Sequence, residues 1–388
     1  MGPPETSAPA APLRAVVSLA ALRRNLDIVR QRLAPGTELI ACVKANAYGH
    51  GVLPVSACLQ AAGVRWLSLG SPADALALRA AGITCDILLF PTGEGGDPGP
   101  LAEASVTIGI QTLDEAAALA RVARARGASI FLKVDSGLGR VGVPLEEAAR
   151  LAARIRSTFP SVRLAGVFTH LPFRGEEAVP WVEERLAAFG QVVAEIRRET
   201  PGPLLVQALA TEGIARGVKA PEANAVCPGS LLYGLEPAGL PQPIGTRPVL
   251  TEVSTVLGAL RDVAAGTRYG YGGGRVAARP TRLGALPIGY SNSILLPRPG
   301  QKVGVDGREA PVLSVSLEHA VVEVTDVDGA RAGMPVRLLA SESGAGPKLA
   351  EVAAVQGRST LEVLVSLTGR AAYEYRETEA TEPGTMSP

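Results

Sequence analysis

Short apolar runs alternate with helical segments through the first 230 residues of the chain. Apolar residues recur at helical spacing from Leu22 to Leu33, and the pattern stops at Pro35-Gly36, which predicts the first helix. Helical segments rich in Ala, Leu and Arg lie between most of the strand-like runs that follow. These runs lie at 39–43, 66–69, 87–90, 106–110, 129–134, 162–168, 203–207 and 223–226.

Eight buried strands that alternate with helices favour a closed parallel barrel of the α/β class, a TIM-like (β/α)8 barrel over residues 13–240. A doubly wound open sheet is the alternative, because the eighth strand depends on the short run at 223–226. A barrel carries its chemistry at the carboxyl ends of its strands. The side chains predicted at those ends are Lys44, Asp135, His170 and Cys227.

The hydrophobic pattern changes to period two beyond a linker rich in Pro and Gly that follows Tyr233. Alternation begins at Val249, and turn signals such as Asp306-Gly307 separate the later runs. This pattern predicts a C-terminal all-β domain over residues 246–376, with strands near 302–305, 311–317 and 320–325. Residues 1–12 are expected to form a disordered leader and residues 377–388 a solvated tail.

Composition and charge exclude several classes of protein. The chain is 47% hydrophobic and 19% charged, which is typical of a globular protein. Thirty-eight basic residues balance 37 acidic ones, so no broad nucleic-acid or membrane surface is expected. No apolar stretch of about 18 residues occurs and the start lacks a secretory signal, so the cytoplasm is the expected location. Four scattered cysteines and three histidines predict neither a disulfide scaffold nor a metal site.

The nine residues VKANAYGHG, from Val43 to Gly51, carry the most distinctive local chemistry. They place Lys44 directly after a buried strand and before a polar, glycine-rich turn. We expect this lysine to be poorly solvated, and an amine kept from water has a lowered pKa and is a better nucleophile. From position alone, a rim lysine in an ion pair is the alternative.

VKANAYGHG resembles the pyridoxal-phosphate lysine motif of the alanine racemase family. Other segments match in order over nearly the whole chain, namely LKVDSGLGRVG (132–142), VFTH (167–170), TRYGYGGG (267–274) and IGYSNS (288–293). The resemblance implies a barrel followed by a β domain, pyridoxal 5'-phosphate as cofactor and an amino acid as the small-molecule substrate. It also implies a homodimer with shared active sites.

The resemblance implies a role for each matched residue. Lys44 would bind the cofactor and act as one base, while Tyr271 would reach the partner subunit's lysine as the second base. His170 would neighbour the catalytic tyrosine and assist it. The other implied contacts are Tyr48, Thr211, Gly229 and Ser230 at the phosphate, Arg140 at the ring oxygen and substrate carboxylate, Lys133 as a carbamylated support of Arg140, and Tyr290 at the mouth of the site.

Three positions depart from the family pattern. Cys227 lies where these enzymes usually have an arginine facing the pyridine nitrogen, and a neutral thiol is a weak donor. Glu318, with His319, replaces a methionine–aspartate pair, and Gly369 replaces a tyrosine that closes over the phosphate. These changes suggest an altered substrate choice, and Glu318 would favour a basic or polar side chain.

Three functions remain open from the sequence. Two-base racemisation of an amino acid is the leading hypothesis, with alanine as the family default. A pyridoxal-phosphate lyase of the same fold, an aldolase or decarboxylase acting on a bulkier amino acid, is the alternative that the departures motivate. A non-catalytic cofactor-binding protein is the third, and the retained pair Lys44 and Tyr271 argues against it.

Overall fold

The computed structural model describes residues 12–91, 96–123, 127–171, 173, 175–341 and 345–378, which divide into two compact units. Ala20–Arg247 form one unit, and the chain up to Leu19 joins the residues from Pro248 onward in the other. Residues 1–11 of the expected leader and 379–388 of the expected tail lie outside the described residues.

The unit Ala20–Arg247 is a closed barrel of eight parallel strands. β1 (Arg14–Ser18) belongs to the other unit. The eight barrel strands are β2 (Glu38–Cys42), β3 (Trp66–Leu69), β4 (Asp86–Leu89), β5 (Thr107–Ile110), β6 (Ala128–Asp135), β8 (Val162–Phe168), β9 (Leu205–Ala210) and β10 (Ala225–Cys227), and a two-residue strand, β7 (Val143–Pro144), lies outside the ring. β10 pairs with β2 and β5 pairs with β6, which closes the ring, while the short β7 pairs beside β6. The predicted barrel is therefore confirmed and the open sheet is wrong.

Helices follow most barrel strands, as the alternating pattern predicts. They are α1 (Leu19–Gln31), α2 (Lys44–Gly49), α3 (Val52–Ala61), α4 (Pro72–Ala80), α5 (Gly99–Glu103), α6 (Leu113–Val122), α7 (Leu145–Thr158), α8 (Val179–Glu199) and α9 (Thr211–Ala215). Side-chain caps fix two of the helix starts: Ser71 Oγ accepts the N–H of Asp74 at 3.1 Å, and Thr112 forms a capping box with Glu115. Among the described residues, no helix is both long and apolar enough to cross a bilayer.

The barrel interior is a packed core that supports the carboxyl ends of the strands. Its buried cluster consists of Ile40, Cys42, Leu88, Phe131, Ala165, Phe168, Ala225 and Cys227. Phe131 and Phe168 meet edge to face with their ring centroids 6.2 Å apart, a favourable arrangement for aromatic rings. A rigid floor of this kind holds the strand ends in fixed positions.

The second unit is a nine-stranded sheet with two short helices. Its further elements are β11 (Leu250–Val256), β12 (Ala259–Val263), β13 (Arg268–Tyr269), β14 (Arg275–Val276), β15 (Thr281–Leu286), β16 (Lys302–Val305), β17 (Arg308–Val315), β18 (Ala320–Glu323), β19 (Pro335–Ala340), α10 (Leu349–Gln356), α11 (Thr360–Ser366) and β20 (Ala372–Arg376). The strand order is β12-β15-β18-β17-β16-β19-β11-β1-β20, and β13 pairs separately with β14. The unit is β-rich rather than all-β, because α10 and α11 interrupt the expected period-two pattern.

The N-terminal boundary of the barrel differs from the expected one. β1 lies between β11, to which it is antiparallel, and β20, to which it is parallel, so the barrel unit begins at Ala20 rather than at residue 13. Ala15, Val16 and Val17 are buried in this sheet. Local periodicity cannot reveal this placement, because the partners of β1 lie more than two hundred residues further along the chain.

Candidate active site

Lys44 stands at the carboxyl end of β2, two residues past the end of the strand. Neighbouring strands hold this end on both sides: the Cys42 N–H donates to Pro228 O at 3.0 Å, and the Val43 N–H donates to Ser68 O at 2.8 Å. The Lys44 side chain is exposed. The expectation of a poorly solvated lysine was therefore wrong, because the residue lies on the open rim and not within the barrel.

The turn that follows Lys44 is left-handed. Four consecutive residues, Ala45 to Tyr48, have φ of 53° or 54°, and each such non-glycine residue costs roughly 1–2 kcal/mol. Asn46 supports the turn, since its carbonyl accepts the Gly51 N–H at 3.0 Å and its side chain accepts the Val52 N–H at 2.8 Å. Backbone strain of this kind persists only where the surroundings impose it, and it is common at functional sites.

This turn brings the Tyr48 side chain against the end of β10. A Cβ atom added at Gly229 would overlap the Tyr48 hydroxyl oxygen, so only glycine permits this approach. The Lys44 Nζ lies 5.9 Å from the Tyr48 ring centroid. Burial, followed by the neighbouring Cys42 and Tyr233, raises the pKa of the Tyr48 phenol, so its hydroxyl stays protonated and can donate.

Backbone N–H groups and hydroxyls form a small anion cradle beside Tyr48. The N–H groups of Gly229 and Leu231 converge on Thr211 Oγ1 at 3.2 and 3.3 Å. Ser230 follows Gly229 and begins a 3₁₀ turn of only four residues, so the expected helix start contributes little dipole here. Two converging N–H groups beside the Thr211 hydroxyl are donors of the kind that a phosphate accepts from, and this cradle fits the predicted cofactor.

We expect Gly229→Ala to displace Tyr48 and weaken binding of pyridoxal phosphate by about 10- to 100-fold, the usual cost of disturbing a supporting contact. Absorbance titration of the purified chain with the cofactor measures this affinity. Gly96→Ala is the matched control, because a Cβ added at Gly96 meets nothing within 4 Å. Unchanged cofactor affinity in Gly229→Ala would show that Tyr48 does not contact the phosphate.

Cys227 presents an uncharged thiol at the end of β10. Its Sγ lies 3.3 Å from Ser68 Oγ, and its side chain is buried. Contact with Cys42 and burial raise the pKa of the Cys227 thiol well above its ordinary value. The group is therefore neutral, as the sequence interpretation expected of a cysteine in the place of an arginine.

Lys133 and His170 lie together at the ends of β6 and β8, next to cationic groups. Burial, then the charge of Arg140, lowers the pKa of Lys133 to about 7. Its Nζ lies 4.7 Å from the Phe168 ring centroid, and within the described part of the chain no carboxylate forms a salt bridge with it. Burial, followed by Lys133, Lys44 and Arg140, lowers the pKa of His170 to about 4, so its imidazole is neutral near pH 7. These four predicted residues share one electrostatic environment.

Arg140 occupies an exposed loop that Asp135 organises. The Asp135 carboxylate accepts the backbone N–H groups of Gly137, Leu138 and Gly139 at 3.0, 2.8 and 2.9 Å. The sequence placed Asp135 at a strand end without assigning it a role. Its three hydrogen bonds fix the loop and thus the base of the Arg140 side chain.

The sequence analysis assigns no role to two aromatic residues near the turn, His50 and Tyr233. His50 and Tyr48 both stack on Tyr233, each with ring centroids 4.8 Å apart. His50 lies within the motif VKANAYGHG, so its position in the motif could have indicated a role. Tyr233 lies three residues after Ser230, and the sequence around it has no distinctive pattern. The side chains of His50 and Tyr233 are both buried.

In the second unit, backbone and side-chain hydrogen bonds connect the segments that carry three predicted residues, Tyr290, Glu318 and Gly369. The Tyr290 N–H donates to Ser316 O at 3.0 Å, which ties this loop to the turn that carries Glu318. Arg370, which follows Gly369, donates from Nε to Ser291 O at 3.0 Å. Tyr271 lies apart from these contacts in a 3₁₀ turn and is 82% exposed.

The fold and site define a class of protein: a barrel enzyme with an amine and an anion cradle at the carboxyl ends of its strands. The family model described as "Alanine racemase, N-terminal domain" matches residues 17–237, and "Alanine racemase, C-terminal domain" matches residues 250–375. The chain belongs to the alanine racemase family of isomerases.

Curated and structural relatives agree with this assignment. The alanine racemase of Syntrophobacter fumaroxidans is 32% identical over 360 residues, covering 90% of this chain and 94% of the relative. That of Yersinia pestis is 32% identical over 369 residues, covering 93% and 98%. The crystal structure of alanine racemase from D-cycloserine producing Streptomyces lavendulae superposes with a TM-score of 0.85 at 29% identity, covering 96% of this chain and 98% of the other.

Proposed function

We propose that the protein is a pyridoxal-phosphate-dependent racemase that interconverts L- and D-alanine. The observation that carries the proposal is the arrangement of Lys44, Tyr48 and the Gly229 cradle within one barrel. In a member of the alanine racemase family, this arrangement offers an amine for the aldehyde of the cofactor and donors for its phosphate.

The residues that would hold the cofactor follow from these contacts. The Tyr48 hydroxyl, which donates to Cys42 Sγ at 3.8 Å in this structure, would donate to the phosphate instead. Gly229 and Ser230 would offer backbone and hydroxyl donors to it, with Thr211 beside them. Cys227 would lie at the pyridine nitrogen as a neutral neighbour, and its protonated thiol neither adds nor removes charge there. Arg140 would steady the ring oxygen and the substrate carboxylate from its loop.

When bound, pyridoxal phosphate supplies an electron sink for the electron pair left on Cα after proton loss. The chain has to remove a proton from one face of Cα and deliver another proton to the opposite face. Lys44 Nζ serves one face, and the hydroxyl oxygen of Tyr271 of the partner subunit serves the opposite face. A phenol has a pKa of about 10 when free, so Tyr271 needs a polar neighbour, and neutral His170 can exchange a hydrogen bond with it.

Further parts of the proposal rest on the family resemblance. The active form is a homodimer with shared sites, located in the cytoplasm. Tyr290 lines the mouth of the site, and Glu318 and Gly369 tune which side chains enter. No observation favours the lyase of the same fold, whereas the curated relatives carry the name of a racemase.

Proton NMR in deuterated water tests the function. With cofactor added, the Cα proton of L-alanine should exchange for deuterium, and chiral chromatography should show D-alanine accumulating to a 1:1 ratio. Release of carbon dioxide or a shortened product would instead indicate a lyase. Bound cofactor without any exchange, across a panel of amino acids, would contradict both.

We expect Lys133 to be carbamylated, because a buried amine with a pKa of about 7 is largely neutral in mild alkali and can attack carbon dioxide. The carbamate would give Arg140 an anionic partner. After incubation with ¹³C-labelled carbon dioxide, ¹³C NMR should show a carbamate signal that strengthens as pH rises through about 7. Lys133→Ala should lack the signal, and a wild-type spectrum identical to that of this variant would exclude the modification.

A further inference from the structure

We propose that His50 is a positioning residue for Lys44 and Tyr48, because its ring and one hydrogen bond clamp the left-handed turn between them. The inference deepens the proposed function and rests on it in assigning Lys44 and Tyr48 to the cofactor. The geometry of the clamp itself lies entirely within the barrel unit.

Tyr233 is the fixed support of this clamp. It is 1% exposed, and its hydroxyl donates to Cys42 O at 3.0 Å, which attaches the ring to the end of β2. The Tyr48 and His50 rings both lie nearly parallel to it, at interplanar angles of 29° and 26°. The two side chains that flank Gly49 therefore rest on one anchored ring, which restricts the turn that joins them.

One hydrogen bond of His50 reaches back into the strained turn. Its Nδ1 lies 3.0 Å from Ala47 O, and a carbonyl only accepts, so Nδ1 carries the proton. Nε2 is then a bare acceptor, buried and without a hydrogen-bond partner among the described residues. Burial lowers the pKa of His50 to about 4, so the ring stays neutral in this one tautomer near pH 7.

The clamp acts on the relative placement of the amine and the phenol. Lys44 begins the turn, Tyr48 ends its strained part, and Ala47 lies between them with φ of 53°. Ala47 O also accepts the His50 backbone N–H at 3.0 Å, so loss of the ring bond leaves this carbonyl with one of its two donors. With only that donor, the backbone can relax toward ordinary φ, and Tyr48 would move relative to Lys44. Small displacements of this kind lower catalysis strongly even when the fold persists.

Histidine NMR tests the clamp without cofactor or substrate. The chain has three histidines, so ¹⁵N-histidine labelling gives three imidazoles, and His50→Asn identifies the relevant one. We expect a neutral ring protonated on Nδ1 at pH 6, where an ordinary histidine is largely charged. Protonation on Nε2, or titration near pH 6.5, would overturn the proposal.

Substitutions then separate positioning from simple stability. His50→Phe keeps a ring but loses the donor, and His50→Asn keeps a donor near the place of Nδ1. We expect His50→Phe to weaken pyridoxal-phosphate binding about 10-fold or more and lower kcat about 10- to 100-fold, with KM for alanine within about twofold. His50→Asn should recover part of both, and this variant decides the matter if His50→Phe does not fold.

The control is Val193→Ala, which opens space in a fully buried position of α8. It should lower Tm without changing cofactor affinity, the visible absorbance of the bound cofactor or kcat. If the His50 variants lose no more cofactor affinity and kcat than Val193→Ala at equal Tm, the role of His50 is merely structural. If the wild-type chain binds the cofactor but does not racemise alanine, the proposed function is wrong. The NMR spectra and the cofactor affinities of the variants would still test the positioning role of His50.

Discussion

Lys44→Arg should lower kcat/KM for alanine racemisation by at least about 10³-fold. Arginine keeps the positive charge and the approximate length of the side chain on the exposed rim. Its guanidinium stays protonated at any ordinary pH, so it can neither join the cofactor covalently nor take and return a proton. Chiral chromatography measures the lost rate, and the visible absorbance of bound cofactor reports the lost covalent link.

Lys219→Arg is the matched control, since Lys219 is an exposed lysine of the same barrel outside the site. Its activity and absorbance should equal those of the wild type. A Lys44→Arg variant that keeps more than about one tenth of wild-type activity would contradict the assignment of Lys44 as a base.

Heterodimers should reveal that each active site is built from two chains. Tyr271→Phe removes the proposed second base, so we expect its homodimer to lose racemisation by about 10²- to 10³-fold. In a heterodimer of Tyr271→Phe with Lys44→Arg, one site would carry both changes and the other would carry neither. Such a heterodimer should therefore recover about half the activity of the wild-type dimer.

Two different affinity tags and co-expression allow this heterodimer to be purified from both homodimers. A heterodimer of Lys44→Arg with wild type provides the reference, since it also has one intact site. If Lys44 and Tyr271 serve the same site from a single chain, the double-variant heterodimer has no intact site and stays inactive. The two arrangements thus give opposite results.

The sequence predicted the barrel well because each strand is a short buried run with its own local signal. The positions of Lys44 and His170 at strand ends followed from that prediction, whereas Lys133 came from the family resemblance. The charges of Lys133 and Lys44 both lower the pKa of His170. The sequence analysis did not predict that Lys44 is exposed, because a run of apolar residues does not show at which residue the rim of the barrel begins.

Contacts between distant parts of the chain set the limit of the sequence interpretation. Tyr233 bonds to Cys42 across 191 residues, and no local pattern encodes this pair. The same holds for His50, whose role depends on the ring beside it and on the left-handed turn. Asp135 was noticed by position, but its three backbone hydrogen bonds require the loop conformation.

The place of β1 in the sheet also constrains the order in which the protein is made. Val16 O accepts a hydrogen bond from Thr251 across 235 residues, and the other neighbour, β20, ends at Arg376. A chain still growing on the ribosome therefore carries an apolar strand that has neither of its neighbours. Pairing over such distances is slow. We therefore expect this strand to be exposed to chaperones or to aggregation until β11 has been made, and to keep one unpaired edge until the last residues of β20 are released.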